Sequence, residues 1–134
     1  MSLDALRQNA MMAHLTDALQ AQKDIGHYGR LVFAMVARHF LSEPELIGLL
    51  QQNPGVTDHE ARSLCLQVQG KDYSPPRRER ILEWQKEQRF PICPHADDPD
   101  ACNVYKDLKF PPEVYEHIAG YYEIKIDSSE SPTQ

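Results

Sequence analysis

The chain has 134 residues, 41% hydrophobic and 25% charged, with a formal net charge of −6. That length fits one ordinary domain with its own core, and the acidic balance argues against broad binding along a nucleic-acid backbone, which needs a basic surface. No apolar run approaches the roughly 20 residues of a bilayer span, and no basic start precedes an apolar stretch, so a cytoplasmic protein with no membrane partner is expected.

In chain order, Ser2 is expected to cap a first helix to about Lys23, with Leu3, Leu6, Ala10, Ala13, Leu15, Ala18 and Leu19 as its apolar stripe. Gly26 punctuates. A second helix from about His27 to Phe40 is apolar on most faces and should be central. Ser42 with Pro44 opens a third helix. After the Asn53-Pro54-Gly55 turn, Thr57 and Glu60 form a capping box for a fourth carrying Ala61, Leu64, Cys65 and Val68. A fifth runs from about Arg77 to Gln88, with Ile81, Leu82 and Trp84 as its apolar residues.

From Phe90 to Pro112 proline and aspartate dominate, predicting an irregular loop with one helical turn around 101–108. Pro111-Pro112 leads into a last helix carrying Val114, Tyr115, Ile118 and Ala119. Tyr121 to Ile126 alternates only weakly, and residues 127–134 are expected to be a disordered tail. The expected class is all-α: one compact bundle of about five to six helices over residues 1–126, with a long ordered loop.

Three groups of residues carry chemistry. His27 and Arg30 lie one turn apart at a helix start, where free N–H groups and the helix dipole both favour an anion. Tyr73-Ser74-Pro75-Pro76 precedes Arg77-Arg78, with Arg80 following. Read as structure it is a proline-set helix start; read as function it is a place where guanidinium groups hold a phosphate. Around it, Lys71 to Arg89 is mildly basic, while acid concentrates in 97–100 and in the last twelve residues.

The third group is the cysteines. Cys93-Pro94-His95 and Cys102 are candidate metal ligands, completed by Cys65 or His95, and a metal would order a proline-rich loop. The structural reading makes Cys65 a core residue and the other two loop thiols. An odd count of three in a cytosolic chain favours thiols or ligands over a disulfide framework. Trp84 reads as a core anchor or an exposed stacking platform. No Ser-His-Asp order, glycine-rich phosphate loop or H-E-x-x-H motif is present, so independent catalysis has no support.

Taken in order, these strings resemble the C-terminal iron–sulfur domain of the archaeal and eukaryotic DNA primase large subunit. Gly26-His27-Tyr28-Gly29-Arg30, followed by Phe33, is similar to that family's basic R-H-G-G-R helix start. Tyr73-Ser74-Pro75-Pro76-Arg77-Arg78 stands for its Y-T-P-x-S-C, Ile92-Cys93-Pro94 for its G-C-P, and Ala101-Cys102-Asn103-Val104-Tyr105 for its A-C-x-x-Y. The resemblance spans roughly residues 10–106.

It implies a non-catalytic module that positions nucleotides for a separate polymerising subunit. His27, Arg30 and Phe33 would contact an initiating triphosphate and template, with Arg77 or Arg78 adding charge. It also implies a [4Fe-4S] cluster in which Cys93 and Cys102 are the third and fourth ligands. The first two positions fall near Met11 and Arg78, neither of which supplies a thiolate. The economical reading is a helical scaffold that persists without the cluster, with packing or a salt bridge at Arg78 in its place. The expectation is therefore a nucleic-acid- or nucleotide-triphosphate-binding module with a partner subunit. The alternatives are a helical protein–protein adaptor and a small zinc or iron–sulfur protein.

Overall fold

In a computed structural model the chain is all-α, and the described residues are 3–71, 73–98 and 100–116. Seven helices follow one another: α1 (Leu3–Leu6), α2 (Ala10–Gln20), α3 (Gly26–Ala37), α4 (Glu43–Leu50), α5 (Asp58–Gly70), α6 (Arg78–Gln85) and α7 (Val104–Asp107). Residues 112–116 are helical again, where the proline pair predicts a start. There is no strand among the described residues. The expected Ser2 cap, Ile118 and Ala119, the weak alternation over 121–126 and the tail over 127–134 lie outside them.

α3 is the centre of the bundle, and its composition explains why. Every residue from Leu31 to Ala37 is buried, so no face is left for solvent, and α2, α4, α5 and α6 pack around it. Fully burying side chains such as Phe33, Val32 and Val36 stabilises the fold by about 1.5–3 kcal/mol each for the larger ones.

Where cap chemistry is local, the helices start as the sequence predicts. Ser42 and Glu45 form a reciprocal capping box on α4, and Thr57 with Glu60 does the same on α5. The first expected helix is instead two. Asn9 breaks it by turning its own Oδ1 to the Met12 N–H, becoming the N-cap of α2. Its Nδ2 reaches the Asp107 carboxylate at 2.9 Å, which ties α2 to the distant α7 and leaves Asn9 fully buried.

The loop from Phe90 to Pro112 is held by its own apolar residues. Ile92, Cys93, Ala101, Cys102, Val104, Leu108 and Phe110 all belong to the main core. Phe110 stands edge-on to Phe40 at 5.5 Å, and the Tyr105 hydroxyl donates to the Pro75 carbonyl. Side-chain burial orders this segment, a role the sequence reading gives to a metal.

Candidate nucleic-acid surface on α3 and α6

α3 and α6 run side by side in opposite directions. Tyr28, in the first turn of α3, stacks on Trp84 near the end of α6, with centroids 5.6 Å apart and planes 13° from parallel. At the other end Arg38, the C-cap of α3, donates to the carbonyl of Tyr73, which precedes α6. His27 and Arg30 therefore stand at one end of the pair, and Arg77 and Arg78 at the other. Arg78 and Trp84 are separated by about 9 Å of helix rise.

Between the two ends lies a second apolar cluster of Leu31, Ala34, Met35 and Val68. Tyr28, Tyr73 and Trp84 pack on it, and each keeps part of its surface in solvent. The Arg80 guanidinium lies 5.7 Å from the Trp84 ring centre, in cation–π range. Arg80 also faces Glu83 at 3.6 Å, and both side chains are well exposed. Such a pair contributes about 0–1 kcal/mol, so another anion can compete for the guanidinium.

The start of α3 differs from the open anion site expected there. The Gly26 N–H donates to Asp24 Oδ1 at 2.9 Å, and the Tyr28 N–H donates to Gln88 Oε1 at 2.9 Å. The preceding Ile25 N–H donates to Asn53 Oδ1 at 2.8 Å. Protein oxygens thus take the donors that a phosphate would use, because residues 53 and 88 fold back onto the helix start. Asp24 already supplies negative charge there. The Gly26 N–H, then the Asn53 amide and Arg30, hold its carboxyl below the usual range. Arg30 meets Asp24 at 3.3 Å, in a pair open to solvent on the carboxylate side.

His27 is exposed and stands edge-on to Tyr28 at 5.2 Å. Phe33 is not on this surface at all. It is fully buried in the main core, because its position on α3 faces inward, and it has no face for a ligand. Tyr28, Tyr73 and Trp84 are the rings of this surface that reach solvent.

Arg77 lies over the Tyr105 ring at 6.0 Å, and Arg78 donates to the Ala96 carbonyl at 2.6 Å. Where packing or a salt bridge is expected at Arg78, the side chain makes a hydrogen bond to this backbone carbonyl. Desolvation raises the Tyr105 phenol to about 12, with Arg77 opposing.

The cysteines pair instead of standing apart. Cys93 and Cys102 form a disulfide, with Cα atoms 5.6 Å apart, inside the usual range for that bond. Cys65 belongs to α5, is fully buried and remains a thiol. Burial pushes that thiol up to about 11, with Glu43 adding and Arg62 opposing. His95 is exposed.

These residues do not fit a cluster or a zinc ion. A bonded disulfide offers no thiolate pair, Met11 is packed in the core, and Arg78 is engaged by a carbonyl. No three His, Cys, Asp or Glu side chains among the described residues are grouped as a metal requires. The short spacing of the two cysteines signals proximity in the fold, but it does not distinguish two ligands from two bonded sulfurs.

A shallow groove of about 600 Å³ lies elsewhere, between α1, α2 and α4, lined by Leu3, Leu41, Glu45 and Leu49 among others. It contains none of the candidate binding or metal-ligating residues named from the sequence. No helix among the described residues is long and apolar enough to cross a membrane. Comparisons with protein-family models, curated proteins and solved structures find no match.

Proposed function

We propose that this chain is a non-catalytic nucleic-acid- or nucleotide-phosphate-binding module, similar in role to the C-terminal domain of the primase large subunit. It would assist primer synthesis or a related DNA transaction beside a separate polymerising protein. The observation that carries the reading is the antiparallel pairing of α3 and α6. It sets His27 and Arg30 at one end of an aromatic strip and Arg77 and Arg78 at the other. Cations spread along such a strip suit a chain of phosphates, because a backbone presents charge at successive points.

The acidic whole does not forbid this. Contact at a few phosphates needs a local basic face, and α6 with its flanks carries Arg77, Arg78 and Arg80. Arg30 reaches a phosphate by leaving Asp24, whose side of the pair is open to solvent. The scaffold reading of the cluster positions also fits, since core packing and the Cys93–Cys102 bond hold the 90–112 loop without a metal.

Fluorescence anisotropy with a labelled, 5′-triphosphate-bearing primer–template tests the proposal. Binding is expected in low salt, and Arg30→Ala should weaken it several-fold. If the intact protein leaves the anisotropy flat, the reading fails.

The second reading, a protein–protein adaptor, is favoured by one feature: Leu66 on α5 is 65% exposed. Its test is co-purification of a partner that Leu66→Asp abolishes.

A further inference from the structure

We infer that Tyr28 and Trp84 form a stacking platform for an unpaired nucleobase, so that the preferred ligand is a single strand and not a duplex. This rests on the nucleic-acid reading above and narrows it to a substrate class.

Three observations converge. The two rings are nearly parallel, at 13°, and come from different helices, so the stack is fixed by the α3–α6 packing and needs no ligand to form it. Both rings are only partly buried. Arg80 lies over the Trp84 ring while its own side chain is 44% exposed, so the guanidinium on that ring is open to solvent. That guanidinium is a flat, delocalised cation held on an indole by the same forces that would hold a base there.

A base arriving at this surface takes the place of the guanidinium on the indole. Arg80, detached from Trp84 and Glu83, then turns to the phosphate of the same nucleotide. The exchange conserves contacts: one stacked plane replaces another, and one exposed ion pair replaces a second. Tyr28, stacked on the indole, backs the platform and holds it in place. Tyr73, on the same apolar cluster, provides a third partly exposed ring further along α3.

A duplex cannot use such a surface. Its bases are stacked on each other, and extruding one costs a few kcal/mol. Stacking on aromatic rings tolerates any base, since each has a π-face. The ligand is thus an unpaired stretch of nucleic acid with little sequence preference. Arg80 with one or two of Arg30, Arg77 and Arg78 gives two or three phosphate contacts. The expected slope of log K against log salt is then shallow, roughly −1.5 to −2 for a single strand.

Trp84 is the sole tryptophan, so it reports on the site directly. Titration of the full chain with a 15-nucleotide thymidine strand should quench Trp84 emission in step with a rise in the strand's anisotropy. A blunt duplex of the same length should leave the emission unchanged. Tyr28→Ala should weaken single-strand binding ten-fold or more. Tyr28→Phe, which keeps the ring, should stay within about two-fold, and this separates loss of stacking from loss of fold. If the strand binds without quenching, or duplex quenches equally, the platform is overturned and the phosphate-binding reading survives. If neither signal moves with any nucleic acid, both are overturned.

Discussion

The side-chain amide of Gln88 serves Tyr28 as a helix cap from sixty residues away. Its Oε1 accepts the Tyr28 N–H at 2.9 Å, while its Nε2 donates to the carbonyls of Ile25 at 2.8 Å and Phe90 at 3.0 Å. Ile25, the residue before α3, makes no side-chain cap of its own. The amide therefore fixes both the start of α3 and the exit of α6, the two segments that position the Tyr28–Trp84 stack. Gln88→Ala takes the partner from the Tyr28 N–H and the Phe90 carbonyl, while the Ile25 carbonyl keeps its bond within α3, and a loss of roughly 1–3 kcal/mol is expected. Gln88→Glu keeps the acceptor but turns an anion toward two carbonyls, so it should also destabilise. Urea unfolding at neutral pH measures both.

Gly26 is the counterpart of that amide. Its φ is +81°, and a Cβ built there would collide with the Gln88 carboxamide. Gly26→Ala combines backbone strain with steric conflict, and should cost about 1–3 kcal/mol. In Gly26→Ala/Gln88→Ala the collision is gone and only the backbone strain remains. The double variant should therefore be less destabilised than the sum of the two single variants, by about 0.5 kcal/mol or more. Strict additivity would mean that the two residues do not meet.

These contacts show where the sequence is legible and where it is not. Local rules place the cap at Ser42, the capping box at Thr57, the turn at Asn53 and the buried character of α3. The α3 start looks open in the sequence because its caps, Asn53 and Gln88, are remote, and a lone polar residue carries no signal of which N–H it will meet. Phe33 reads as a ligand contact only through its place in a motif, although its neighbours in an all-apolar run already point inward. Trp84 admits two readings from sequence, and only the packing of α6 against α3 shows that it is partly buried. Asn9 is inconspicuous inside a helical stripe, because its partners in α7 lie more than ninety residues on.

The disulfide has a count that mass spectrometry can read. With Cys93 and Cys102 bonded, alkylation of the unfolded, unreduced protein should label one thiol of three, Cys65; after reduction it should label all three. Three labels without reduction would refute the bond. The residues are nine apart in sequence, and closing so short a loop contributes about 2–3 kcal/mol in the chain-entropy account. The Cys93→Ser/Cys102→Ser variant should lose an amount of that order, since the loop contributes its own apolar residues to the core.

Alkaline pH should destabilise the fold before any carboxylate matters. The buried Cys65 thiol is raised from an ordinary 9.0 to about 11, and the Tyr105 phenol from 10.0 to about 12. Between those values the unfolded chain has released protons that the folded chain still holds. Stability is then fully present below about pH 9 and falls as pH climbs through 11 and 12. Cys65 alone accounts for a loss on the order of 2–3 kcal/mol. Denaturation midpoints at pH 8 and pH 10.5 give the slope, and Cys65→Ala should flatten its lower part. An unchanged midpoint would mean that Cys65 is not desolvated.

Asp24 offers a gain-of-binding test that a purely structural role would not predict. Its carboxylate occupies the ground in front of Arg30 that a phosphate would take, and its lowered pKa keeps it charged well into the acidic range. Asp24→Asn removes that charge and retains an oxygen for the Gly26 N–H. Removing one competing anion beside the partly buried Arg30 should tighten binding to a single-stranded oligonucleotide several-fold in low salt, with the gain shrinking as salt screens the site. Asp17→Asn serves as the control, since Asp17 pairs with Arg7 on α2, away from the proposed surface, and carries the same charge change. A gain at Asp24 without one at Asp17 assigns the effect to the α3 start. Equal gains would trace it to net charge alone and would remove Arg30 from the binding surface.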